Sequence, residues 1–386
     1  MPRWIARLWV NSWSHTRDGR GVGVTALSIF RTRRITLEVR QRIPTMLGIS
    51  IIAASIIFGL AVSLTILVNA GVDIHSVYEE FLVFTFFNME GLSTVVVKST
   101  PLILVGLSAA VAFRINFWNI GIEGQFLMGV VGVTVVAIFD IGPENLRLPL
   151  MFFFGVMFGG LWALPPAYLK IHLRINEVIT TLLFNYVAFY FVLNQVYGSW
   201  KDPIDKFPHS EQYEAFERLP RIGWEEVNWG VLIAGLAIVF VWLLAERSRF
   251  GIKSRFCGVN PGMAVAIGIP VSLITAISAM VSGGLAGSAG FVIASAHEFR
   301  LTPGIAAGYG FSGIVIAFLA GNRPLGVLVV ACLMGGLYVS GESLKIFYRL
   351  PAAMVGLIQA IIVLSVAASE FFVRYRVRLA RYEEEG

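Results

Sequence analysis

Long uninterrupted apolar runs dominate this chain. Ten of them, at 43–69, 92–113, 120–139, 148–169, 177–197, 228–245, 271–294, 304–321, 325–340 and 352–370, are each near the roughly 20 residues that a helix needs to cross a hydrocarbon core about 30 Å thick. In lipid a segment must satisfy its own backbone groups, so these runs predict helices. The short alternating segments of a β-barrel are absent. The pattern predicts an all-α polytopic membrane protein with about ten transmembrane helices. Composition agrees: 56% of the residues are hydrophobic and 14% charged, with mean hydropathy +0.75. Soluble chains carry roughly 25% charged residues. No cleavable signal peptide is expected, because the first 42 residues are polar and the first apolar run is long enough to span.

The loop charges predict the orientation. With the N-terminus in the cytoplasm and ten alternating helices, inner segments hold 21 of the 30 Lys and Arg, and outer segments hold 15 of the 24 acids. That is the positive-inside bias. It predicts a multi-pass membrane protein with both termini cytoplasmic. Its parts are a basic arm (1–42), a transmembrane domain (43–370), an extracytoplasmic loop (198–227), a cytoplasmic loop (246–270) and a cytoplasmic tail (371–386). The net charge of +6 then reflects topology and attraction to anionic lipid, not nucleic acid.

Catalytic and metal motifs are missing. The two cysteines, Cys257 and Cys332, form no C-x-x-C, and the five histidines are scattered. No G-x-x-x-x-G-K-[ST], G-x-S-x-G or H-E-x-x-H occurs. The chain is not expected to be an enzyme, to bind a metal, or to hold ATP itself.

Spans two to five and seven to ten form two sets of four around the sixth. An offset of five spans makes the sets antiparallel, the inverted repeat common in transporters. Small residues recur at helical spacing: Ala279, Gly283 and Gly287; Gly155 and Gly159; Gly304 and Gly308. Such spacing lets helices pack closely in lipid.

Three polar stretches interrupt the apolar pattern. The first, RINFWNIGIEGQFLMG at 114–129, carries Asn116, Asn119, Glu123 and Gln125. If helical, Asn116, Asn119 and Glu123 share a face, and Gly121 and Gly124 loosen the turn. A carboxylate within the bilayer costs roughly 2.5–3.5 kcal/mol on insertion scales. Glu123 therefore lies at the cytoplasmic surface, braces a broken helix inside the bundle, or contacts the solute. The second stretch, 174–203, places Glu177, Thr181 and Asn185 four apart, followed by Tyr186, Phe189 and Tyr190. These groups suit either interhelical hydrogen bonds or a polar solute with a flat ring. The third stretch, 246–270, is basic and then reads GVNPGMAVAIGIP. Asn260 before Pro261 signals a helix start, predicting a short uncharged helix at about 263–267 that docks in a groove on another protein or packs as a connector.

At these residues the sequence resembles the permease subunits of ATP-binding-cassette importers in the ribose and branched-chain amino-acid permease family. The resemblance is strongest to the permeases of nucleoside and simple-sugar uptake systems. It rests on NIGIEGQ (119–125), NEVITTLLFNY (176–186), GSWKDP (198–203), GVNPGMAVAIGI (258–269), SGGLAGSAG (282–290) and GYGFSGI (308–314), in that order. Val259 stands where an acid is frequent and Val265 where a second alanine is expected. The resemblance implies a fold like that of the vitamin B12-type importers and alternating access. It implies two ATPase subunits that bind ATP and Mg, a second homologous or identical permease, and an extracytoplasmic solute-binding protein. The reading is a nucleoside permease, with a simple-sugar permease of the ribose or galactose type as the alternative. An ion-coupled secondary transporter would need intramembrane acids, for which only Glu123 and Glu177 are candidates. A membrane-embedded transferase would need an acid or histidine cluster. The expected solute path includes Asn116, Asn119, Glu123, Gln125, Thr181, Asn185 and Phe189. Coupling to the ATPase is expected through Gly258, Asn260, Pro261, Ala264, Ala266 and Gly268.

Overall fold

The computed structural model describes residues 33–40, 44–73, 75, 78–205 and 207–381. Helices occupy all ten apolar runs. In chain order they are α1 (Thr45–Asn69), α2 (Met89–Phe113), α3 (Ile122–Ile138), α4 (Glu144–Trp162), α5 (Leu164–Leu173), α6 (Glu177–Tyr197), α7 (Gly230–Trp242), α8 (Arg249–Val259), α9 (Pro261–Ala266), α10 (Val271–Ile293), α11 (Tyr309–Leu319), α12 (Pro324–Phe347) and α13 (Ala352–Arg374). The fourth run is broken into α4 and α5 because Pro165 and Pro166 cannot donate to the carbonyls one turn earlier. Eight helices among the described residues are long and apolar enough to cross a membrane, counting α4 and α5 as one; α3 and α11 are shorter.

Two compact units make up the chain. In the first, the described residues up to Ala61 join those from Ile362 onward. There β1 (Arg33–Val39) pairs antiparallel with β2 (Tyr375–Arg381), with Arg33 opposite Arg381 and Val39 opposite Tyr375. The basic arm and the tail thus each contribute a strand that the sequence reading did not assign. RRITLEV and YRVRLAR both alternate with period two, which is the strand signal. The rest of the arm, 1–32, lies outside the described residues.

The second unit, Val62–Ile361, is the helical bundle. α2 and α10 form its interior, with 89% and 78% of their apolar windows buried, against 28% for α6. They open the two predicted four-helix sets, and in each set the next helix, α3 or α11, is the short one. This parallel supports the repeat. Close backbone contact between α4 and α10 explains the small residues there. A Cβ on Gly283 would lie 2.3 Å from the Gly159 carbonyl oxygen, and one on Gly287 would lie 2.1 Å from that of Gly155. The Gly304–Gly308 pair has a different cause. Both residues lie in a non-helical entry to α11, where Gly308 adopts φ +81°.

One end of the bundle carries the basic residues Arg114, Arg247, Arg249, Lys253, Arg255 and Arg323; it is called the basic end below. At the opposite end the segment 198–229 is tied down. Its Ser210, Tyr213 and Leu219 amides donate to the carbonyls of Leu301, Phe299 and Ser295 at 3.0, 2.7 and 2.9 Å. Arg147 donates to buried Glu217 (3.1 Å) and to Asp140 (2.7 Å). Tyr213 is fully enclosed, with its hydroxyl 2.7 Å from that of Thr134, and burial raises its pKa.

Candidate functional site: a polar turn that clamps a broken helix

α2 ends at Phe113, and the chain turns back before α3 begins at Ile122. Asn116 takes a left-handed conformation (φ +53°), which asparagine tolerates better than most residues. Residues 116–121 are therefore not helical, and the helical face expected for Asn116, Asn119 and Glu123 does not form. The turn is held by side chains instead. Buried Asn119 donates to Gln125 Oε1 (2.9 Å) and Ser282 Oγ (3.0 Å), and its own Oδ1 accepts from Gln125 Nε2 (3.0 Å) and the Gly121 amide (3.1 Å). Ser282 and Ser108 extend the network to α10 and α2 with their hydroxyls 3.0 Å apart.

α6 closes the other side. Thr181 Oγ1 accepts from the Ile120 amide at 3.1 Å. Asn185 accepts from the Gly124 amide and donates to the Ile120 carbonyl, both at 2.8 Å. The two glycines are needed for this approach. A Cβ on Gly121 would lie 3.0 Å from the Thr181 side chain, and one on Gly124 would lie 2.9 Å from the Asn185 Cα. The stripe read from spacing on α6 thus meets the turn, but its amide and hydroxyl partners are groups of the chain itself. Phe189 lies away from it, half exposed and 5.6 Å from the Tyr190 ring. Glu177 is paired with Lys170 at 2.6 Å, and Lys170 also donates to the Asn116 carbonyl.

Glu123 has the most telling position. It sits in the first turn of α3, and its carboxylate accepts the Gly308 amide (2.9 Å) and the Gly310 amide (2.6 Å). Those are the N-cap and the second residue of α11. Two helix N-termini converge here: the carboxylate in the first turn of α3 satisfies two amides at the start of α11, while Asn185 takes the Gly124 amide of α3. The contact lies deep. α11 runs from Tyr309 to the basic end, where Phe318 packs on Phe113 and Trp118 with ring separations of 5.2 and 5.5 Å. Its 11 residues rise about 16 Å, roughly half of a hydrocarbon core. Of the three places open to Glu123 on sequence, the geometry matches bracing of a broken helix. A Cβ on Gly310 would fall 2.3 Å from the Glu123 nitrogen, so only glycine allows the contact.

The turn is also joined to the basic-end loop. Asn116 Nδ2 donates to the Gly258 carbonyl, and Arg114 donates to the Ala245 carbonyl (2.7 Å) and Glu246 (3.1 Å). A Cβ on Gly258 would lie 2.3 Å from the Arg114 carbonyl oxygen. Asn260 caps α9 by accepting the Met263 amide at 3.0 Å, with Pro261 as the first helical residue. The helix spans 261–266, not 263–267 as read from sequence. Ala264 is completely buried in this chain, whereas Val259, Met263, Val265 and Ile267 are exposed, and Pro261, Ala266 and Gly268 lie on the surface with them. Sequence reading missed α8, although RFGIKSRFCGV follows the serine cap Ser248. It missed the partners Gly308, Gly310 and Ser282 as well; only the glycine-rich composition of their segments hinted at close approach.

Comparison with known proteins places this architecture. Residues 91–367 match a family described as "Branched-chain amino acid transport system / permease component". A glucose ABC transporter permease protein of Haloferax volcanii is 31% identical over 90% of this chain and 94% of its own length. A guanosine ABC transporter permease protein of Bacillus subtilis is 32% identical over 82% of this chain and 92% of its own. Among solved structures, PsaBC from Streptococcus pneumoniae in complex with Fab aligns with 76% of this chain and 94% of its own at 15% identity and TM-score 0.43. With the family match covering the whole bundle from α2 into α13, the chain belongs to the branched-chain amino acid transport system permease family.

Proposed function

We infer that this chain is the membrane-spanning subunit of an ATP-driven importer that passes nucleosides by alternating access. The observation that carries the reading is the Glu123 clamp: a helix broken at mid-depth, with its N-terminus held by a carboxylate on a turn whose other end is bonded to the basic-end loop. Discontinuous helices meeting near the midplane are how transporters build a solute path. In this reading the basic end faces the cytoplasm of a bacterial cell. Separate ATPase subunits, which bind ATP and Mg, engage the exposed residues Val259, Met263, Val265 and Ile267. Their closure displaces α9 and Gly258, which pull on Arg114 and Asn116, and the turn transmits the movement to Glu123 and α11. A second permease chain completes the pathway, and an extracytoplasmic binding protein delivers the solute to the 198–229 segment. The chain performs no covalent chemistry.

A simple sugar is the second reading, favoured by the 31% identity to the glucose permease over nearly the full chain. Uptake of labelled guanosine, adenosine and glucose by a deletion strain carrying the complete transporter separates the two. Uptake of a nucleoside, competed by nucleosides and not by glucose, is expected. Glucose uptake without nucleoside uptake reverses the solute assignment, and uptake of none of them refutes the importer reading.

A further inference from the structure

A second polar feature lies toward the far end of the membrane-spanning part, beyond the clamp. A cavity of about 270 Å³ is lined by Tyr309, Tyr338, Glu342, Lys345, Val355 and Gln359. Tyr309 is the first residue of α11, directly after Gly308, whose amide Glu123 holds. From there the cavity extends along α12 and α13 away from the basic end. Glu342 lies 18 residues along α12 from Pro324, about 27 Å from its basic-end start.

Ionisable groups in a span face lipid only at high cost, so they mark solute paths or paired sites. Here Glu342 pairs with Lys98 of α2 at 2.8 Å, yet its side chain remains 55% exposed. The pair is neutral and presents its carboxylate to the cavity. Lys345 stands in the last turn of α12, where its charge meets the negative helix end. Tyr338 is held by Ser312, the hydroxyls 2.7 Å apart. Among the described residues Gln359 makes one long bond, to the Leu337 carbonyl at 3.3 Å. Gly341 lets α13 come close: a Cβ there would lie 2.7 Å from Gln359 Nε2. The larger groove, about 660 Å³ between α4, α7 and α10, is lined by residues such as Phe153, Met157, Leu236 and Met280 and offers almost no polar surface. It suits acyl chains.

We propose that the Tyr309–Tyr338–Glu342–Gln359 cavity is a solute-binding subsite that recognises a neutral polyhydroxylated ring. The proposal rests on the importer reading and names its site. A carboxylate and an amide lining one cavity accept from and donate to a ring's hydroxyls. Two tyrosine rings offer flat surfaces to the less polar face of a sugar; the Glu342 charge is offset by Lys98 and that of Lys345 by the negative end of α12. Ribose within a nucleoside and glucose share this chemistry. The site is on α11–α13, whereas the 116–125 turn spends its polar groups on holding the chain together.

The test uses the complete transporter in nanodiscs, with Cys257 and Cys332 replaced by serine and Gln359→Cys introduced; Val355→Cys is the second position should the first fail to assemble. A charged methanethiosulfonate reagent should label the introduced thiol. Adenosine or glucose, whichever the wild type takes up, should slow labelling about tenfold when present at ten times its apparent Kd. Separately, Gln359→Leu should assemble with its ATPase subunits and lose up to about tenfold in uptake. A thiol that never labels, labelling indifferent to a solute that the wild type transports, or full uptake by Gln359→Leu would each overturn the subsite while leaving the importer reading intact. Wild-type uptake of neither solute would overturn the importer reading and the subsite with it.

Discussion

Replacing Glu123 by glutamine tests the clamp most directly. The carboxylate accepts two backbone amides, at 2.9 and 2.6 Å, from Gly308 and Gly310. Glutamine is isosteric but keeps one acceptor oxygen; its amine would face a second donor. One charge-assisted bond is therefore lost, worth about 1.5–3 kcal/mol. Glu123→Asp is one methylene short and Glu123→Ala has no acceptor, so both should lose at least as much. The loss falls on the first turn of α11, because the rest of that helix keeps its internal bonds. Each 1.4 kcal/mol is a factor of ten in a local opening equilibrium, so amide exchange in segment 305–312 should quicken roughly ten- to hundredfold in the purified complex. The buried helices α2 and α10 should keep wild-type exchange. Solute uptake should fall together with the clamp. Wild-type exchange across 305–312 in Glu123→Gln would show that the carboxylate does not hold α11 and would remove the proposed link between the loop and the broken helix.

Other outcomes follow from named contacts. Asn119→Ala should destabilise the complex more than loss of one solute contact would, by about 1–3 kcal/mol for each buried group left unpaired, seen as a lower melting temperature with or without solute; an unchanged melting temperature would free Asn119 for a direct solute role. Met263→Arg and Val265→Arg should abolish co-purification of ATPase subunits while the permease remains folded, whereas Ala264→Arg, aimed into the chain's own interior, should reduce the amount of folded permease itself. Glu217→Gln should loosen the 198–229 segment, because the buried pair with Arg147 loses its charge-assisted bond, about 1.5–3 kcal/mol, while Asp140 still holds the guanidinium; limited proteolysis within 198–229 reads it directly. Charge reversal at exposed Glu211 should instead weaken stimulation by binding protein, more at low salt, and leave proteolysis unchanged.

Much of this protein was legible in its apolar runs. Each of the ten apolar runs holds a helix, the fourth broken in two and the eighth shortened, because in lipid a long apolar segment has no other way to satisfy its backbone. The cap at Asn260 and the closeness of helices at Gly155, Gly159, Gly283 and Gly287 were legible too, since both follow from local chemistry. The strand pair could have been read from its period-two alternation, but pairing β1 with β2 joins residues more than 330 positions apart, and no local signal carries that. The polar turn was visible as a departure from the pattern, with its role undecided. Asn116, Asn119, Glu123, Gln125, Thr181 and Asn185 advertise only that they have donors and acceptors. Whether those groups meet a solute or one another depends on which backbones lie opposite, and here Gly308, Gly310, Ser282 and Ile120 do. The same holds for Ala264, whose small uncharged side chain suits a docking surface and an interior equally well until packing assigns it to the interior. Sequence by itself determined the apolar runs that become helices and the residues that cannot remain unpaired in lipid. Tertiary structure alone decided the partners, because hydrogen-bond capacity is a property of a residue, while its use is set by what the fold brings within about 3 Å of it.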